Sequence, residues 1–235
     1  GHPTALGVLP MGTVNVWARE TGIPLRLDQA REVLAHGVRR RVDLGRAGTR
    51  YFLLMAGVGF DAEVARRVER GVLKRAGLKL LEYPAAVGLL GVTHQPARIW
   101  MRTGGKRRSV SALMIIIGNT RLYAGAFTFA KKAVADDGLL DIVIVANGGL
   151  LHRAGVLLRA LLRRATLGPQ VRYQRSDLIR LEANRHVPVQ VDGEVIGALP
   201  MTFSVAPAAL TVVVPASAPG DLFVSPPLTP AHYAG

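Results

Sequence analysis

Apolar and polar positions alternate with a period of two, or run on without interruption, over ten short stretches of the chain. These are Val38–Asp43, Arg50–Val58, Ala97–Arg102, Val110–Gly118, Leu139–Val145, Val171–Gln174, Leu178–Glu182, Val187–Val191, Met201–Ala206 and Leu210–Val214. Such runs predict strands when turn residues bound them. Gly104-Gly105, Gly148-Gly149, Gly168-Pro169 and Asp192-Gly193 supply the boundaries. Helical spacing is rarer and predicts Val16–Thr21, Ala62–Arg70, roughly Leu78–Val92, and Leu150–Ala165. Many short strands with a few helices predict a mostly β fold with α, a β-sandwich with connecting helices. Only the opening reads otherwise. The apolar run Leu6–Leu9, a turn at Pro10–Asn15 and a helix from Val16 resemble a strand-loop-helix of an α/β unit.

On a helical wheel, Leu150, Leu151, Ala154, Leu157, Leu158, Leu161, Leu162 and Ala165 share one face, and Arg153, Arg159, Arg163 and Arg164 the other. A helix covering one end of the sandwich has this pattern. So does a basic amphipathic helix on a membrane. Beyond Pro215 the chain is rich in Pro and Ala, which predicts an irregular tail lying over the surface.

With 49% hydrophobic residues, 235 positions can bury the core of one large domain, or of one domain and part of another. The absence of cysteine excludes disulfides and thiolate metal sites and is compatible with the cytoplasm. No apolar run is long enough to cross a bilayer. The best, Leu78–Val92, is short and carries Lys79, Glu82 and Pro84. The N-terminus has no signal-peptide pattern. It starts at Gly1 with no initiating methionine, almost on a strand, so a longer parent protein is expected.

The net charge of +14 points to anionic partners. The basic residues are dispersed in short clusters such as Arg39–Arg41 and Lys106–Arg108, and solvated Arg-rich faces would look the same. Aromatic residues are only 6% and do not alternate with basic ones, so a base-stacking surface for nucleic acid is not expected.

Three places could carry chemistry. At Gly12, Thr13 and Asn15 a turn meets a helix, where backbone and hydroxyl can approach a phosphate or where Asn15 simply fixes the loop. Asp136-Asp137-Gly138 precedes an apolar strand, where Asp137 either caps the turn or holds a hard cation with neighbouring carbonyls. In Val189–Gly197, Asp192-Gly193 is a hairpin signal. Asp192 and Glu194 would share a side of an extended chain, a pair suited to accepting a hydroxyl proton or holding Mg²⁺. Asp61, after Gly57-Val58-Gly59-Phe60, is placed as the N-cap of the helix that follows. Six scattered histidines lack zinc spacing, and no serine sits in a nucleophile elbow.

These motifs stand in a recognisable order. Pro10-Met11-Gly12-Thr13-Val14-Asn15 with Ala18-Arg19 resembles the P-x-G-T-x-N-x-x-A-R segment of the diacylglycerol kinase-like lipid kinases, the superfamily that includes sphingosine kinases. Ala56–Ala62 resembles its G-x-G-F-D-A segment, and Gly118-Asn119-Thr120 with Tyr123, Gly125 and Phe127 its N-x-x-x-Y-G-G-x-F segment. Asp136–Asp141 and Val191–Glu194 complete the series, which spans about Leu6 to Val214.

The resemblance implies an ATP-binding α/β lobe and a β-sandwich lobe with the active site between them. There a lipid alcohol attacks the γ-phosphate of ATP in the presence of Mg²⁺. It places Gly12, Thr13 and Asn15 on the nucleotide side, Asp192 as general base with Glu194 beside it, and Asp137 with the carbonyls of Val134 and Leu139 at a structural Mg²⁺. It divides the chain into residues 1–24 from the nucleotide lobe, 25–215 as the sandwich lobe and 216–235 as the tail. An anionic membrane surface is the expected partner, and the cytoplasm or the inner membrane face the expected place.

The family's GGDGT phosphate loop is absent from the sequence, and Val16 stands where many members have Asp. The chain is therefore expected to be the C-terminal portion of a lipid kinase, inactive alone. The alternative is a non-catalytic lipid- or membrane-binding β-sandwich module. A GGDGT loop encoded upstream of Gly1 distinguishes the two.

Overall fold

The computed structural model describes residues 4–70, 97–123, 127–149 and 171–228. The helices expected at Leu78–Val92 and Leu150–Ala165 lie outside them, as does Gly125. The described chain is mostly β, and its main sheet has eleven strands. The long strand β5 (Lys106–Gly118) organises it. Its first half pairs with β4 (Ala97–Thr103). Its second half pairs with β3 (Met55–Gly59) on one side and β8 (Leu140–Ala146) on the other. The β5–β8 register slips between Ala112 and Met114. A bulge of this kind bends a strand and lets β5 serve both layers of a sandwich.

One layer continues from β3 to β11 (Pro188–Val191) and β12 (Glu194–Ala198), and from β8 to β9 (Val171–Ser176). The other runs from β4 through β10 (Leu178–Ala183) and β13 (Met201–Val214) to β1 (Val38–Ala47) and β2 (Arg50–Phe52). β2 leads directly back into β3, so the sheet almost closes. Phe52, Val58, Ile99, Ile115, Ile117, Ile142, Ile179, Leu181 and Phe203 fill the space between the layers.

The unbroken apolar runs in β5 and β8 have a direct cause, because both faces are covered. Ile115, Ile117 and Ile142 face the central core, while Met114, Ile116 and Val143 pack with Phe60 and Val64 of helix α3 (Phe60–Arg70) and with Phe129. A third cluster joins helices α1 (Val16–Thr21) and α2 (Leu27–His36) to β1, β13 and the tail, through Trp17, Ala30, Val42, Val212, Leu222 and Phe223. Within residues 216–228 the chain forms a short 3-10 helix at Gly220–Leu222, Leu222 and Phe223 are buried, and the Arg40 guanidinium lies 4.5 Å from the Phe223 ring.

Several expectations need correction. The strand at Leu6–Leu9 is reduced to a single bridge between Leu6 and Val212. The stretch Arg50–Val58 is two strands, because the Leu53 and Leu54 N–H groups turn to the Asp192 side chain. The two strands expected at Met201–Ala206 and Leu210–Val214 are one, β13, with a bulge between them. There Asp43 accepts the Ala208 N–H at 2.7 Å, and Ala208 adopts φ 48°. Helix α2 gives almost no sequence signal, since Ala30 is its single fully buried residue. Helix α3 starts at Phe60, so Asp61 lies inside its first turn and is not the N-cap.

Candidate active site

Between β2 and β3 the backbone of Leu53, Leu54 and Met55 is gripped from two sides. The Asp192 carboxylate accepts their three N–H groups at 2.8, 3.0 and 2.9 Å. From the other side the buried Asn119 amide donates to the Leu53 carbonyl (2.9 Å) and to that of Asp43 (2.9 Å). The N–H groups of Asn119 and Thr120 reach the Leu54 carbonyl. Two motifs more than seventy residues apart thus close on one short segment, whose backbone would otherwise go unpaired.

Asp192 and Gly193 form the two-residue turn of the β11–β12 hairpin, with φ of 47° and 96°. Positive φ at both positions is what an Asp-Gly hairpin turn provides. The chain is therefore not extended here, and the two acids differ in surroundings. Loss of solvent around the Asp192 carboxyl raises its pKa, while its three backbone donors act in the opposite direction. Glu194, the first residue of β12, is exposed, with the Arg50 guanidinium 2.9 Å away.

Beneath the turn lies a buried polar group. Gln190 is 4% exposed. Its amide nitrogen donates to Asp61 Oδ2 at 2.6 Å, and its amide oxygen accepts the Gly193 N–H at 2.7 Å. The Tyr123 hydroxyl bonds the other oxygen of Asp61. Burial raises the Asp61 pKa, and the bonds from Tyr123 and Gln190 oppose the rise. Gly57, opposite Gln190 in the β3–β11 register, leaves the space this group occupies; a Cβ there would collide with the Asp61 carboxylate. Gln190 carries no motif signal, and Asp61 has the look of a simple helix cap, so sequence reading misses both roles.

Gly12, Thr13 and Asn15 lie in the loop before α1. Asn15 takes a left-handed conformation, accepts the Gly12 N–H at 2.8 Å and donates to the Gly12 carbonyl at 2.7 Å, so its side chain closes the loop. Thr13 is exposed. Helix α1 is tied to the sandwich by the buried Glu20, which takes the Arg121 guanidinium at 3.0 Å and the Leu122 N–H at 2.6 Å. Tyr123 follows on the same short strand, β6 (Leu122–Tyr123). The Gly12–Asn15 loop and the Asp192–Glu194 turn are therefore joined through residues 119–123.

Asp137 sits in the turn entering β8, where its carboxylate accepts the Leu139 N–H at 3.1 Å and pairs with Arg175. Asp43 fixes the same turn by accepting the Gly138 N–H at 2.7 Å. Asp141, two residues into β8, is fully buried. Among the described residues its two carboxylate oxygens have no hydrogen-bond partner, and Arg175 Nε stands 3.5 Å from one of them. Burial pushes its pKa up to about 7. Among the described residues, no three His, Cys, Asp or Glu side chains gather as a ligand set.

Two family models match the chain. The diacylglycerol kinase catalytic domain matches residues 1–47, and the YegS C-terminal NAD kinase beta sandwich-like domain matches residues 55–214. A probable lipid kinase YegS-like protein of Chromohalobacter salexigens is 30% identical over 194 residues, covering 81% of this chain and 60% of that protein. A diacylglycerol kinase of Staphylococcus carnosus is 27% identical, covering 86% of this chain and 66% of that protein. The chain thus spans less than two thirds of the length of these relatives. The crystal structure of a putative diacylglycerol kinase from Bacillus anthracis shares the fold, with a TM-score of 0.72 at 20% identity over 89% of this chain and 69% of that one.

Proposed function

The chain belongs to the diacylglycerol kinase-like lipid kinase family, and from that premise we propose that its full-length protein transfers the γ-phosphate of ATP to the hydroxyl of a lipid alcohol. The observation that carries this reading is the Asp192-Gly193-Glu194 turn, which holds an exposed carboxylate on a firmly anchored backbone. An attacking hydroxyl must lose its proton as it bonds to phosphorus, and a positioned carboxylate can take it. The two acids divide the work. Glu194 accepts the proton in place of Asp192, the base expected from the motif, because the Asp192 carboxylate is taken up by three backbone N–H groups while Glu194 is exposed. Asp192 adds negative charge beside it and fixes the turn by holding Leu53, Leu54 and Met55. Gly12, Thr13 and Asn15 stand on the nucleotide side, where the Thr13 hydroxyl can donate to a phosphate oxygen.

Mg²⁺ accompanying ATP neutralises charge on the phosphates. A separate structural Mg²⁺ would be held by Asp137 with the carbonyls of Val134 and Leu139. The donor chemistry suits a hard cation. Among the described residues the turn brings two carboxyl groups, those of Asp137 and Asp141, to one guanidinium, that of Arg175. The lipid substrate lies in a bilayer, and the net charge of +14 favours an anionic surface at the cytoplasmic face of the membrane. Among the described residues no helix is long and apolar enough to cross it. The test is transfer of phosphate from ATP to a dispersed lipid alcohol by the full-length protein, with Glu194→Gln as the matched variant.

A further inference from the structure

The buried group beneath the acid turn is more than packing requires. At position 190 an apolar side chain would fill the interior without desolvating an amide. Instead Gln190 spends both ends of its amide, one on Asp61 and one on the Gly193 N–H. Gly193 is the residue between the two acids, so this bond fixes the peptide that sets where Glu194 leaves the turn. Asp61 in turn is oriented by Tyr123, which follows Arg121 and Leu122, the two partners of Glu20 on α1. Space for the whole group depends on Gly57.

We propose that Gln190 and Asp61 are positioning residues: Gln190 holds the Gly193 peptide, and Asp61 holds Gln190, so that the Glu194 carboxylate stays in its reactive place. The inference rests on the kinase reading above. Neither side chain meets the substrate, since both are buried at 4% exposure. Their effect is therefore on turnover and not on ground-state binding. Outer groups that orient a reacting group typically contribute about 10–100-fold to activity.

The test uses two variants at one position in the full-length protein. Gln190→Met keeps the length and apolar volume but removes both bonds. It is expected to lower kcat about 10–100-fold, to leave the KM for ATP and for lipid within about twofold, and to speed hydrogen exchange of the Gly193 N–H. Gln190→Glu keeps an acceptor for Gly193 but sets a second carboxyl against Asp61. Facing carboxyls ionise together only at high cost, so its activity relative to wild type should rise as pH falls from about 8 to about 6. Unchanged kcat in Gln190→Met would overturn the proposal, as would unchanged Gly193 exchange. So would a Gln190→Glu profile parallel to wild type. Absence of transfer by the wild-type protein would overturn the kinase reading itself, and the exchange measurement would still decide whether Gln190 holds the turn.

Discussion

Asp192 and Met55 hold each other twice: the Asp192 N–H donates to the Met55 carbonyl at 2.9 Å, and the Met55 N–H donates to Asp192 Oδ1 at 2.9 Å. This reciprocal pair makes Asp192 a structural anchor as well as an acid. The Asn side chain forms an Asn-Gly turn equally well, but its amide can present only one acceptor oxygen. Set at the Oδ1 position, that oxygen still serves Leu54 and Met55, and the NH₂ group then faces the Leu53 N–H, donor against donor.

Asp192→Asn is therefore expected to cost about 1–3 kcal/mol, a fall in Tm of about 2–12 °C for a chain of this size. Glu194→Gln, at an exposed ion pair, should stay within about 2 °C of wild type. Thermal melting of the two variants checks the contrast. Equal melting temperatures would mean that the Asp192 bonds contribute no more than the surface pair.

Magnesium supplies a second check. A cation held by the native turn stabilises it by mass action, by about 2.7 kcal/mol at a hundred times Kd. Added Mg²⁺ should raise the Tm of the wild-type chain and leave Asp137→Ala unmoved. An equal rise in both would show that Asp137 serves only to cap the turn and pair with Arg175.

Asp61 sets a pH dependence of defined sign. Its folded pKa lies above the ordinary value of 3.8, so the native state binds the proton more tightly than the unfolded chain does. Its contribution to stability is present at low pH and declines as pH rises from about 4 through the folded pKa. Asp61→Asn can accept from Gln190 and donate to Tyr123 without titrating. The Tm of Asp61→Asn minus that of wild type should therefore increase with pH above about 4. A difference that stays constant with pH would contradict the assigned shift.

The sequence announces elements whose signal is local. Period-two runs locate most strands because most strands bury at least one face. The Asp192-Gly193 hairpin is legible because positive φ selects those residue types. The misses are nonlocal. Nothing near Leu53 says that its N–H belongs to Asp192, 139 positions away, so the break between β2 and β3 is invisible. Helix α2 buries too little to show its period. Gln190 sits in an ordinary strand, and its meaning appears only when Gly57 of the neighbouring strand leaves room for Asp61. The order of motifs was legible; their convergence on residues 53–55 came from the fold.

The most direct measurement is steady-state transfer of labelled γ-phosphate from ATP to a lipid alcohol in mixed micelles, comparing the full-length protein with Glu194→Gln. Loss of a general base lowers the rate by about a hundredfold to ten-thousandfold, with KM values nearly unchanged because the proton moves in the transition state. The expected result is robust lipid labelling by wild type and a fall of that size in a variant with unaltered melting. Near-wild-type turnover by Glu194→Gln, or no lipid labelling by the folded full-length protein, would contradict the proposed function.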